Sequence, residues 1–248
     1  MNCKNCKKSL RTDYAFCPDC GGKIVRNRLT FKNLMYDFTE RYFNVDNTFL
    51  RTFWHLFTKP EVIIVGYISG IRKKYLNPIS YLAISVILSG ILYYFLRNIL
   101  ELDLNDPWLQ EVYAAQGVEY DMNKILDYQA LMTYINLPMS AIITALAFIG
   151  KKKYNYTEHI VINAYIIAHY SIVMFIIAPI FFSIFSITYT IFTVFFLVLI
   201  AVYWMYVLKR VYEVSFGETF IRSFTTFVAL SFIYVVIVVL ALIVQRFW

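Results

Sequence analysis

The chain of 248 residues is 60% hydrophobic and 19% aromatic, whereas soluble globular domains are roughly 45–50% apolar. This composition, with a mean hydropathy of +0.58, excludes an ordinary soluble domain and predicts an all-α integral membrane protein. The net charge of +7 suits anionic lipid headgroups. Because no nucleic-acid recognition motif accompanies that charge, we expect no nucleic-acid partner.

The first segment, residues 1–28, contains every cysteine of the chain. Their spacing is C-x2-C-x10-C-x2-C, in which two short knuckles present paired thiolates to one tetrahedral metal ion. In the second knuckle, "CPDCGG", Pro18 stiffens the turn, and Gly21 and Gly22 allow positive φ angles. We predict a zinc ribbon with the ligands Cys3, Cys6, Cys17 and Cys20.

The predicted zinc has a structural role. A segment this short cannot bury a core large enough to fold alone, so metal binding would supply most of its folding free energy. Four protein thiolates leave no open position on the metal, which favours a docking or regulatory surface. Two disulfides would need an oxidising compartment, and a redox C-x-x-C would need a βαβ setting that this segment lacks.

Residues 29–76 predict amphipathic or interfacial helices. Two of them lie between residues 30 and 58 and are separated at "NVDN", where Asp46 or Asn47 can cap the second. Their aromatic faces either lie in the headgroup plane or pack on the transmembrane helices. A third helix begins at Pro60, and its apolar run of ten residues is too short to span a membrane. We expect it to be re-entrant or interfacial.

A family resemblance appears in this region. The run "FNVDNTFLRTFWHLFTKPEVIIVGYISGIRKKYLNPISY" follows a short cysteine ribbon. It resembles a bacterial membrane-protein family known as domain of unknown function 3667, and the likeness covers about residues 1–82. The resemblance implies a zinc ribbon joined to a membrane bundle and brings no activity with it. The matching residues are Asp46, Phe49, Pro60, Tyr67, Gly70, Arg72, Tyr75 and Pro78.

Residues 77–248 predict a bundle of five transmembrane helices, since a span needs about 20 mostly apolar residues. The stretch Ile160–Leu208 is too long for one span and fits two, with a turn at Ser183–Ser186. The other three predicted spans are residues 78–96, 131–150 and 223–244.

The distribution of basic residues predicts the orientation. Residues 1–77 carry 14 of the 23 Lys and Arg side chains, and further basic groups follow the second and fourth spans. The loop 98–129 carries seven acids against Lys124 alone, with a short helix from Pro107. We therefore predict a cytoplasmic N-terminus and an extracytoplasmic C-terminus, in the cytoplasmic (inner) membrane. The predicted headgroup contacts are Arg72, Lys73, Lys74, Lys151, Lys152 and Lys153.

Few polar groups fall within the predicted spans or at their ends, and each is a candidate functional group there. They are Asn136, His159, Asn163 and His169. His159 and Asn163 are four residues apart and share a helix face, whereas His169 lies about 80° away from that face. These groups either line a path for a solute or form hydrogen bonds between helices.

Catalytic motifs such as G-x-S-x-G, H-E-x-x-H and the Walker pattern do not occur, so we expect no enzyme activity. The first hypothesis is a scaffold, sensor or regulatory protein that uses the zinc ribbon to dock a partner protein. The alternative is a transporter or channel for a small solute or lipid, against which stands the absence of an internal repeat. The sequence leaves homo-oligomerisation open.

Overall fold

The computed structural model describes residues 2–22, 24, 48–105, 107–115, 121–151, 153–185, 187–226 and 228. The chain divides into two compact units, Met1–Asn47 and Thr48–Trp248. In the first unit an isolated antiparallel bridge pairs Asn2 with Ser9. Leu10 is buried with Cys3 and Cys17 in a very small core. Tyr14 and Ile24 pack against this core, which is small among the described residues of the unit.

The second unit begins with two short helices, α1 (Thr48–Thr58) and α2 (Pro60–Ile68). Pro60 starts α2 because proline lacks the N–H that the first helical turn leaves unpaired. The end of α2 is a Schellman motif, in which the N–H groups of Ile71 and Gly70 donate to the carbonyls of Gly66 and Tyr67. Gly70 supplies the positive φ of 105° that this motif requires.

The next three helices are α3 (Pro78–Asn98), α4 (Pro107–Ala114) and α5 (Met122–Asp127). The short helix predicted from Pro107 is therefore present. α3 begins with Pro78 at its first position and with the Asn77 side chain accepting the N–H of Ser80 at 2.8 Å. The N-cap and the proline together determine that the helix begins at Pro78.

Three longer helices follow: α6 (Gln129–Ala147), α7 (Tyr156–Ile184) and α8 (Tyr189–Tyr212). α7 starts with a capping box, in which Asn155 and Glu158 each accept the other's backbone N–H. Because α7 ends at Ile184 and α8 begins at Tyr189, the predicted break between the third and fourth spans is confirmed, but Ser183 and Ile184 of the predicted turn still belong to α7. Residues 216–226 are also helical.

Among the described residues, the four helices α3, α6, α7 and α8 are long and apolar enough to cross a membrane. They correspond to the first four predicted spans, although α6 ends at Ala147, three residues before the predicted end of the second span at residue 150. The fifth, residues 223–244, lies almost entirely outside the described residues, as do the first predicted amphipathic helix and the Asp46 or Asn47 cap. Half of the most apolar window of α7 is buried, against 28% or less in the other three helices. α7 is therefore the central helix.

The core of the second unit forms where α7 packs against α3 and α6, and where α2 packs against α7 and α8. α1 presents one face to this core, with Leu56 fully buried and Phe49 and Phe53 packed against it. On its other face, Leu50 and Trp54 are 52% and 60% exposed. One face of this helix therefore packs in the core of the second unit, and the other is exposed.

Ion pairs bring the predicted basic segments together at one end of the bundle. Arg210 at the end of α8 donates to Glu61 at the start of α2, with Nε 2.9 Å from Oε2. Lys153 lies 2.8 Å from Glu213. At the opposite ends of α3 and α6, Arg97 pairs with Asp127 of the acidic loop. The basic residues at or after the ends of the second and fourth long helices thus lie at one end of the bundle, and the acidic loop lies at the other.

Candidate functional site

The four cysteines of the first unit converge on one point. Their Sγ atoms all lie within 4.8 Å of one another. The Sγ atoms of Cys3 and Cys20 are 3.7 Å apart, and those of Cys6 and Cys17 are 3.6 Å apart. Each of these pairs joins one knuckle to the other, so both knuckles are needed to assemble the group. Four cysteines this close together could bind a metal ion.

The two knuckles repeat the same backbone pattern. The N–H of Cys3 donates to the carbonyl of Lys8, and the N–H of Lys7 donates back to Cys3. In the second knuckle, Cys17 and Gly21 form the corresponding bonds. Lys7 and Gly21 occupy equivalent positions, four residues after a cysteine, and both have a left-handed φ, 62° and 67°.

The predicted positive φ is therefore correct for Gly21, whereas the prediction for Gly22 is wrong, since its φ is not in the left-handed range. Gly22 instead closes the knuckle by accepting the N–H of Cys17 through its carbonyl, at 2.9 Å. Its own N–H and the side chain of Asn5 hydrogen-bond to the Cys20 thiolate, and these bonds lower the pKa of Cys20 to about 6. A stabilised thiolate favours metal binding.

Residues of the family pattern fix the turn between α2 and α3. The hydroxyl of the buried Tyr75 lies 2.8 Å from Nδ1 of His55 in α1, and burial raises the pKa of Tyr75. The neighbouring Leu76 donates its N–H to the Thr52 hydroxyl and accepts a bond of 2.7 Å from the hydroxyl of Tyr165. These contacts attach the turn to α1 and α7. Asp46 of the family pattern lies outside the described residues.

Two of the four polar residues predicted within the spans or at their ends meet in one buried network. His159 and Asn163 lie on α7, and both are within hydrogen-bond distance of Oγ1 of Thr144 in α6, at 3.0 and 2.8 Å. Nε2 of His159 lies 3.1 Å from the Tyr212 hydroxyl, and Oδ1 of Asn163 accepts from Nε1 of Trp204 at 3.3 Å. The network therefore connects α6, α7 and α8.

The hydrogen-bond pattern assigns the tautomer of His159. Thr144 donates its hydroxyl hydrogen to a carbonyl of its own helix, that of Ser140 or Ala141, each 3.0 Å away. Nδ1 of His159 must then donate to Thr144, and Nε2 must accept from Tyr212. A neutral imidazole satisfies every bond in this group, which is the condition for a stable buried polar network.

His169 lies outside this network. It is 1% exposed, and its Nδ1 is 3.0 Å from the hydroxyl of Tyr81 in α3. The rings of Phe57 and Tyr203 pack against it, with centroids 4.3 and 5.1 Å away. Asn136 lies on an exposed part of α6. The structure thus brings together two of the four polar residues proposed to line a path and separates the others from them.

The predicted headgroup contacts divide into two groups at the same end of the bundle. Arg72 stacks on the ring of Tyr67, 5.6 Å from its centroid, and Lys74 lies near Tyr75. Lys151 and Lys153 pair with acids after α8, and Lys152 lies outside the described residues. Lys73, like Arg72, is exposed.

Sequence reasoning missed the partners of the buried histidines, Thr144, Tyr212 and Tyr81. Thr144 gave no signal because a helical threonine usually bonds to its own backbone, as this one also does. Tyr81 and Tyr212 are two of 21 tyrosines in the chain, and nothing in the sequence distinguishes them from the others. Only the spacing of His159 and Asn163 pointed to this group.

Together these features define the class of the protein as a helical chain whose described residues include four helices long and apolar enough to cross a membrane and a cluster of four cysteines in the first unit. Residues 46–90 match the family described as "Protein of unknown function (DUF3667)". The match confirms the predicted resemblance over this segment, which includes α1, α2 and the first part of α3. Neither a curated protein nor a solved structure matches the chain.

Proposed function

We propose that the protein is a non-enzymatic, multi-pass membrane scaffold or sensor, whose N-terminal ribbon holds a structural zinc ion and docks a partner protein. The observation that carries this proposal is the convergence of four thiols from two knuckles. Zinc is bound by sulfur at about 2.3 Å, so a tetrahedral site has sulfurs about 3.8 Å apart. The distances of 3.7 and 3.6 Å between opposite knuckles fit that requirement.

The donor set supports zinc and a structural role. Cysteine thiolates are soft ligands that suit zinc, and four of them complete its coordination. A site with no open position binds no substrate or activated water. Because the core formed by Cys3, Leu10 and Cys17 is small, zinc would provide most of the folding free energy of this unit.

An exposed aromatic side chain supports docking on this unit. Phe16 directly precedes the ligand Cys17, and its side chain is 56% exposed. Aromatic side chains are enriched at the centres of protein interfaces. A rigid zinc site beside such a ring would hold it in place for a partner.

We place the protein in the inner membrane of a bacterium, with the ribbon in the cytoplasm. The clustering of Glu61–Arg210, Lys153–Glu213 and Lys151–Glu218 at one end of the bundle supports this orientation, because basic loops favour the cytoplasmic side. Anionic headgroups on that side would attract the same end.

The test compares three forms of the detergent-solubilised full chain, each cross-linked in cells before purification: the wild type, Cys17→Ser/Cys20→Ser and Phe16→Ala. We expect about one zinc per wild-type chain and a specific cross-linked protein. The double serine variant should lose both. Phe16→Ala should keep the zinc and lose the cross-link.

The cross-linked protein must then bind the purified wild-type chain directly, and not the Phe16→Ala form. The docking proposal is wrong if neither variant changes the cross-linked proteins. A wild-type chain that contains no zinc contradicts the metal assignment.

A further inference from the structure

A cavity of about 600 Å³ lies between the end of α2, the first turns of α3, the middle of α6 and the first turns of α7. Its volume falls within the range of about 300–1,000 Å³ that is usual for small-ligand sites. The apolar part of the wall is formed by Ile68, Leu82, Leu137, Ile160, Val161 and Ala164.

Exposed side chains line the cavity on the side of the helix bundle, and exposed Arg72, Asn155 and Thr157 line it near the bundle's end. Ile79 and Tyr134 line it, and their side chains are 78% and 53% exposed. They belong to α3 and α6, two of the helices long and apolar enough to cross a membrane. In a bilayer the side lined by these two residues would therefore face lipid, and an apolar chain could enter from that side.

Two side chains of opposite charge line the same cavity, Arg72 after α2 and Glu158 in the first turn of α7. The Arg72 guanidinium stacks on Tyr67. Stacking on the ring orients the guanidinium but does not occupy its N–H donors. These donors can bind two oxygens of a phosphate group at once. The Glu158 carboxylate is held by the capping box through Oε2, 2.7 Å from the N–H of Asn155. Each charged group is thus held by a contact within the protein, Arg72 by a ring and Glu158 by a backbone N–H.

We propose that this cavity binds a zwitterionic phospholipid with a primary ammonium group, of the phosphatidylethanolamine type. Arg72 binds the phosphate, Glu158 binds the ammonium, and part of one acyl chain lies along the apolar wall. An anionic phospholipid would satisfy Arg72 but would bring no cation to Glu158. The paired charges therefore select the zwitterionic headgroup, and this inference does not depend on the zinc ribbon.

The experiment measures lipid binding to the purified full chain in detergent by native mass spectrometry. The probes are dioctanoyl phosphatidylethanolamine, dioctanoyl phosphatidylglycerol and soluble phosphoethanolamine. We expect the wild type to prefer the ethanolamine lipid about tenfold over the glycerol lipid, since each charged hydrogen bond contributes strongly to affinity. Phosphoethanolamine should not compete at equal concentration, because it lacks the acyl chains.

Three variants separate the parts of the site. Arg72→Ala should weaken binding of both lipids about tenfold, and the exposed Arg51→Ala is its matched control outside the cavity. Glu158→Gln keeps a side chain that can complete the capping box and should abolish the preference between the two lipids. Ala83→Phe should weaken the binding of both lipids, because the larger side chain fills part of the cavity without changing its charge.

The proposal is overturned if Arg72→Ala and Ala83→Phe bind the ethanolamine lipid as the wild type does. An unchanged preference in Glu158→Gln would equally rule out the role of the ammonium group. Full competition by phosphoethanolamine would show a soluble ligand and contradict the choice of a lipid. Each variant is used only if its melting temperature matches that of the wild type.

Discussion

Asn163 of α7 donates a hydrogen bond of 2.8 Å from Nδ2 to Oγ1 of Thr144 in α6. Both side chains are fully buried, and the same hydroxyl oxygen accepts from His159. One threonine therefore satisfies two polar groups of the neighbouring helix. Because a buried polar group without a partner costs free energy, this relationship fixes how α6 packs on α7.

Removing the shared hydroxyl should destabilise the bundle. Thr144→Val leaves both the His159 Nδ1 and the Asn163 amide with one bond fewer, so we expect a loss of about 1–3 kcal/mol in unfolding free energy. Thr133→Val is the matched control, because among the described residues Thr133 hydrogen-bonds to its own helix, through the carbonyl of Gln129. Thermal melting in detergent measures both. Equal melting temperatures for the two variants would contradict the account of the network.

The Tyr81–His169 bond predicts a rescue. His169→Leu alone leaves the buried Tyr81 hydroxyl without its partner and should cost about 1–3 kcal/mol, as should Tyr81→Phe alone. The double variant removes both polar groups and should be closer to the wild type than the two losses added together. Melting temperatures of the four forms give the coupling. Additive losses would show that the hydrogen bond is not the reason for either cost.

In the ribbon, we expect substitution by alanine to be more damaging at Gly21, which has a left-handed φ, than at Gly22. Gly21→Ala places a Cβ at φ 67° with no atom within 4 Å, so its cost is backbone strain alone, about 1–2 kcal/mol. Gly22→Ala meets the Cys20 sulfur at an ordinary 3.5 Å and is the matched control. Zinc competition with a chelator should show weaker binding for Gly21→Ala only. Weaker zinc binding by Gly22→Ala would mean that the contact with the Cys20 sulfur, and not the φ angle of Gly21, determines which substitutions this knuckle tolerates.

The predicted orientation can be tested with single cysteines added to the wild-type chain. Glu111→Cys lies in α4 of the acidic loop and Lys59→Cys lies between α1 and α2, and both native side chains are exposed. A maleimide that does not cross membranes should label Glu111→Cys in intact spheroplasts. It should label Lys59→Cys only after permeabilisation. The reverse pattern would place the basic end outside.

The sequence was sufficient for features that depend on neighbours along the chain. The C-x2-C knuckles bring their own cysteines together, and the spacing of His159 and Asn163 places both on one helix face. The starts of α2 and α3 follow from Pro60 and Pro78, which both occupy a first helical position. Lengths of apolar sequence likewise predicted α3, α6, α7 and α8.

Features that depend on which helix faces meet could not be predicted. Asn136 and Asn163 both lie within predicted apolar spans, yet Asn136 is exposed and Asn163 is fully buried. The cavity is assembled from parts of four helices and the loop between two of them, and its two charges are 86 residues apart along the chain, 158 minus 72. No local sequence pattern encodes this arrangement of the two charges, because it arises from the packing of the helices.

The central claim, a structural zinc ion held by the four cysteines, is tested most directly by the metal content and intact mass of the untagged full chain. The account predicts about one zinc per chain by elemental analysis, four thiols in the denatured protein, and no zinc in Cys17→Ser/Cys20→Ser. A metal-free chain whose mass shows the loss of four thiol hydrogens would reveal two disulfides. That result would contradict both the zinc site and the cytoplasmic position of the ribbon.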